Sequence, residues 1–176
     1  MMRRADKKTA RDTAKALLDR YVVRAAPVPV ERIAKSLGVR VEYAPLDGDL
    51  SGLAHVRNGV PIIGVNTLHT PARQRFTLAH ELAHIQLHRH ELEGTVHVDR
   101  GSLRRDALAA AGTDPTEIEA NTFAAELLMP TDLLMAALDG HSVDLEDDAA
   151  IGSLAKRFRV SEAAIRYRLS SLGEPG

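Results

Sequence analysis

Two histidines four residues apart, His80 and His84, with Glu81 directly after the first, sit in the stretch Arg75 to His88, which reads as a helix. On a helix, positions i and i+4 lie one above the other, so both imidazoles can reach a single metal ion. Glu81, next to the first ligand, can act as a general base on water at that metal. Phe76, Ala79, Ala83 and Leu87 form one apolar stripe along this helix, and Leu78, Leu82 and Ile85 form another. A helix apolar on more than one face is buried. Two buried imidazoles and a buried carboxylate must be satisfied by something, and a zinc ion would do it.

The 176 residues contain no cysteine, so disulfides and thiolate metal sites are excluded and His, Asp and Glu are the strong ligands left. A formal net charge of -1 gives no overall basic field, which argues against a free-standing nucleic-acid binder. No apolar run is long enough to span a bilayer. The charged start leads into no apolar segment of the kind a secretory signal carries, so the cytoplasm is the expected location.

Read in order, the chain opens with an amphipathic helix from about Ala5 to Arg24, followed by a short helix from Val30 to Leu37 that stops at Gly38. Val39 to Tyr43 alternates as a strand. Two further strands, Leu53–Val56 and Val60–Val65, flank Asn58-Gly59, a strong type I′ hairpin signal. A small three-stranded sheet is therefore expected ahead of the helix that Thr70 caps and Pro71 opens. Residues 93–101 read as a loop or short extended piece, and Leu103 to Ala111 as a short helix. A helix from Asp114 to Leu128 follows, then another from Thr131 to about Leu138. After an acidic linker, two short helices end the chain, the second capped by Ser161. The fold class is α+β, divided into a domain over residues 1–140 and a helical tail over 141–176.

An open catalytic zinc site needs a third protein ligand. His90 has the right spacing after His84 for a third histidine, but that arrangement needs glycine where this chain has Leu87, and leucine prolongs the helix. The remaining candidates are carboxylates on the helix after Asp114. Asp114-x-x-Glu117 resembles a capping box, which gives Glu117 a structural task. Glu126 lies toward the polar side and reads as solvated. Glu119 has no such explanation, and helical geometry leaves it modestly ahead.

The segment Arg73-Gln74-Arg75-Phe76-Thr77-Leu78-Ala79-His80-Glu81-Leu82-Ala83-His84 resembles the first signature of the ImmA/IrrE family of metallopeptidases. The segment Glu117-Ile118-Glu119-Ala120-Asn121-Thr122-Phe123-Ala124-Ala125-Glu126-Leu127-Leu128-Met129-Pro130 resembles the second. Pro29 to Ala34 with Leu37-Gly38-Val39 is similar to the family's N-terminal lead-in, and Ser51-Gly52 with Val65-Asn66 to its sheet. The resemblance implies a zincin-like, gluzincin-type endopeptidase with zinc held by His80, His84 and Glu119, the last from the family's E-A-x-x-F-A motif. It also implies a narrow substrate, a helix-turn-helix repressor or antitoxin cut to relieve repression.

Among the other residues, His97 either polarises the scissile carbonyl or steadies the oxyanion, or else is a histidine in an exposed loop. His88, one turn beyond His84, suits a supporting role behind the ligands or at the helix end. Arg73 and Arg75 read as solvated residues at a helix start. Lys156, Arg157, Arg159, Arg166 and Arg168 make the tail locally basic, with the cadence of a helix-turn-helix; the tail reads either as a DNA contact or as a lid packed on the core. The competing functional class is a zinc-stabilised regulatory module that sequesters a repressor, or touches DNA, without cutting.

Overall fold

A computed structural model describes residues 3–100 and 114–173; the helix expected at Leu103 to Ala111 lies outside the described residues. Seven helices are present among them: α1 (Lys7–Arg20), α2 (Val30–Ser36), α3 (Pro71–Leu87), α4 (Pro115–Leu128), α5 (Thr131–Leu138), α6 (Asp148–Phe158) and α7 (Glu162–Leu172). Four strands, β1 (Arg40–Ala44), β2 (Gly52–Arg57), β3 (Val60–Asn66) and β4 (His97–Asp99), form one sheet in the order β1-β3-β2-β4. β1 runs parallel to β3, while β2 is antiparallel to both β3 and β4. None of the described helices is long and apolar enough to cross a membrane.

The hairpin between β2 and β3 follows directly from its turn residues. Asn58 and Gly59 both take positive φ, 51° and 76°, as a type I′ turn requires. The sheet has one more strand than the three expected. β4 is three residues long and forms by pairing with the edge of β2. The pairing Gly52↔Asp99, Leu53↔Val98 and Ala54↔His97 puts His97 and Asp99 on the same face of the sheet as Gly52 and Ala54.

That face is covered by α3. Thr70 caps the helix by accepting from the Arg73 amide, Pro71 occupies its first turn, and every residue from Thr77 to Ile85 is buried. α3 packs on β2 and β3 on one side and on α4, α2 and α1 on the others, as its two apolar stripes require. β2 approaches it closely at Gly52. A Cβ there would lie 2.5 Å from Thr77 Cγ2, 2.7 Å from the Gly64 carbonyl oxygen and 3.6 Å from Glu81 Cγ.

The last two helices and the turn between them pack into the same apolar cluster as the rest of the chain, through Ile151, Leu154, Phe158, Val160 and Ile165. Arg168, on α7, is buried and donates to the Met129 carbonyl, the Glu126 carboxylate and Thr131 Oγ1. Glu126, read from sequence as solvated, is therefore a buried partner that also accepts from the Thr131 amide. Arg166 pairs with Asp148 and Glu162. Arg75 donates to the backbone carbonyls of Arg159 and Val28, and Arg73 to Ser51 Oγ, so neither is merely a solvated residue at a helix start.

Candidate metal centre

Four ligand-bearing side chains, His80, His84, His97 and Glu117, place one ligating atom each within 4.8 Å of one another. The two α3 histidines face each other through Nε2, 3.2 Å apart. Glu117, near the start of α4, brings one carboxylate oxygen to 3.1 Å of His80 Nε2 and the other to 3.1 Å of His84 Nε2. A tetrahedral zinc with bonds of ~2.0–2.1 Å separates its ligand atoms by ~3.3 Å. The donors thus have the chemistry and the mutual spacing of a small divalent metal site.

Glu117 stands where Glu119 was expected. Two residues along an α-helix rotate a side chain by about 200°, so only one of the two can face α3's histidine pair. Glu119 points instead toward the start of the chain. It accepts from Arg3 with both oxygens at 2.8 Å, from the Asp6 amide at 2.6 Å and from His88 Nε2 at 2.7 Å. The capping-box reading of Glu117 does not hold either. Asp114 caps α4 by accepting from the Thr116 amide and hydroxyl, leaving the Glu117 side chain to the histidines. A usable signal was Asn121, four residues on and therefore on the Glu117 face. Its Oδ1 lies 2.9 Å from His80 Nδ1. With Nδ1–H donating to that oxygen, the lone pair of the neutral ring is on Nε2, toward the cluster.

Glu81 is fully buried beside the pair. Its Oε2 lies 3.0 Å from His97 Nδ1, and its Oε1 has no hydrogen-bond partner among the described residues. Burial raises Glu81 above the ordinary carboxylate range, against the opposing pull of His97. His97, expected either in an exposed loop or at the reacting carbonyl, is half-buried on β4. It bridges Glu81 and Glu117, with Nε2 2.8 Å from Glu117 Oε1. Burial works against its charge, but the two carboxylates outweigh that and raise it to about 10. His80 is likewise desolvated, yet its hydrogen bond to Glu117 and the charges of Glu81 and Asp99 lift it to about 9. Burial, helped by the charges on His80 and His97, takes His84 down to about 4. Burial also penalises the Glu117 carboxylate, but hydrogen bonds from His80, His84 and His97 hold it far below the usual range. Asp99 is buried on the same face of β4 and makes a second metal-capable group with His80 and Glu81.

A peptidase family model described as the IrrE N-terminal-like domain matches residues 34–170, well over half of the chain. Among curated proteins no sequence matches significantly. Among solved structures, a Mycobacterium tuberculosis transcriptional regulator superposes with a TM-score of 0.60 at 18% identity, a likeness of fold. The match covers 96% of this chain and 48% of that one, so this chain spans about half its length.

Proposed function

Because the chain belongs to the ImmA/IrrE family through its IrrE N-terminal-like peptidase domain, we propose that it is a zinc-dependent endopeptidase. The observation that carries this reading is the convergence of His80, His84 and Glu117 beside a buried Glu81 whose Oε1 has no hydrogen-bond partner among the described residues. Two imidazoles and a carboxylate, with no thiolate available, suit zinc in an open catalytic site. When bound, the metal supplies a Lewis acid for the scissile carbonyl and makes a water acidic enough to lose a proton near neutrality. Glu81 accepts that proton through Oε1 and delivers it to the leaving amine, a double task that its raised pKa favours. His97, charged and hydrogen-bonded to Glu81, holds the base in place and adds positive potential where the oxyanion develops.

On this reading the fold is a minimal zincin-like domain, and α6 and α7 form a helix-turn-helix-like tail that serves as packing. The substrate class is a helix-turn-helix repressor or antitoxin, cut at one site in the cytoplasm. Support for it comes from the family and from the regulator with a similar fold. The test uses the zinc-loaded chain and Glu81→Gln, each incubated with a candidate helix-turn-helix repressor taken from the neighbouring genes. Wild type should release discrete fragments by mass spectrometry, and Glu81→Gln should be slower by about 10²–10⁴-fold while keeping its zinc. Intact repressor in both reactions, with repression relieved equally, would exclude a protease.

One observation favours a second reading. His97 Nε2 is close enough to the other three donors to become a fourth ligand. A four-ligand site is closed, and the protein would then be a zinc-stabilised module that sequesters its regulator.

A further inference from the structure

We propose that Glu119 and His88 form a positioning relay that fixes the tautomer and orientation of His84 as a metal ligand. The proposal rests on the metal-centre reading above. The residues lie in line from the start of the chain inward. Arg3 and the Asp6 amide hold the Glu119 carboxylate, and Glu119 Oε2 lies 2.7 Å from His88 Nε2. His88 Nδ1 in turn lies 3.1 Å from His84 Nδ1, and His84 Nε2 faces His80 and Glu117.

Proton bookkeeping along this line leaves one arrangement for neutral rings. Ionised Glu119 only accepts, so His88 Nε2–H donates to it. The lone pair of neutral His88 is then on Nδ1, and it accepts from His84 Nδ1–H. That leaves the His84 lone pair on Nε2, directed at Glu117 and His80. Glu119, His88 and His84 are all buried, so water does not compete for these bonds. His80 has its own orienting partner in Asn121. Each histidine of the pair is therefore set from behind by a different group, and Glu119 acts on the site through His88 without touching the metal.

Zinc affinity of the full chain, measured by competition with a chromophoric chelator, tests the relay, with unfolding of the metal-free protein as the control for folding. His88→Phe keeps the ring volume but removes the acceptor, and should weaken zinc binding by about 10- to 100-fold. His88→Asn places an amide oxygen near the former Nδ1 and should recover most of that loss, which a purely space-filling role would not predict. Nitrogen-15 NMR of the zinc-loaded wild type should find protons on His84 Nδ1 and His88 Nε2. A folded His88→Phe that binds zinc as tightly as wild type would overturn the relay, as would a His88→Asn no better than Phe or a His88 proton on Nδ1. If His88→Phe does not fold, Glu119→Gln decides. It keeps an acceptor without the charge and should weaken zinc binding by a smaller factor, and unchanged affinity refutes the relay. A wild type that binds no zinc removes the metal centre itself, whereas zinc-binding variants indistinguishable from wild type remove only the relay.

Discussion

Glu117 and Glu119 differ by two positions, and the difference decides what each can do. Glu117 shares a helix face with Asn121 and meets the histidines of α3; Glu119 faces the chain's first residues and His88. The sequence made His80, Glu81 and His84 legible because their spacing alone puts the chemistry on one helix. It did not reveal Glu117, because a local capping pattern gave that residue a plausible structural task. The charges around the site lead to a count. At pH 6 the metal-free protein carries protons on His80 and His97, raised to about 9 and about 10, while His84, lowered to about 4, is already neutral. Zinc held by His80, His84 and Glu117 must displace the His80 proton, so calorimetry in buffers of different ionisation enthalpy should find one proton released. Affinity should then rise about tenfold per pH unit in that range. Release of two protons would make His97 a ligand and the site closed. Gly52 is the other decisive position. Gly52→Ala drives a methyl group into Thr77 and the Gly64 carbonyl and should cost about 1–3 kcal/mol in urea unfolding.

Among the elements, α3 was readable from end to end: its cap and its proline mark its start, and its two apolar stripes match a helix buried on every side from Thr77 to Ile85. The β2–β3 hairpin was readable from Asn58-Gly59 for the same reason, a local rule with a local cause. β4 was not, since three residues become a strand only by joining the edge of β2, and with it His97 and Asp99 reach the site. Glu126 was misread because its partner Arg168 arrives from a helix 42 residues later. Removing one member of such a buried pair leaves the other charge without compensation. Arg168→Met should therefore destabilise the chain by about 3–5 kcal/mol in urea unfolding, and adding Glu126→Leu should restore part of the loss. Equal stability of wild type and Arg168→Met would mean that α7 is not held by this pair.

The molecule as a whole brings four separated pieces of chain to one point: the opening residues through Arg3 and Asp6, α3 through its histidines, β4 through His97, and α4 through Glu117, Glu119 and Asn121. The tail completes the apolar cluster and uses Arg166 and Arg168 in contacts within the chain, which removes two of the five basic residues that suggested a DNA-binding surface. Local pattern points to a class of chemistry, and long-range packing brings Glu117 rather than Glu119 to the α3 histidines. The zinc content of Glu117→Ala and Glu119→Ala, measured by mass spectrometry after dialysis against metal-free buffer, tests that selection most directly. With both variants loaded with zinc before dialysis, Glu117→Ala should stay folded and lose its zinc, while Glu119→Ala should keep most of it. Zinc retained by Glu117→Ala and lost by Glu119→Ala would contradict the site proposed for this protein.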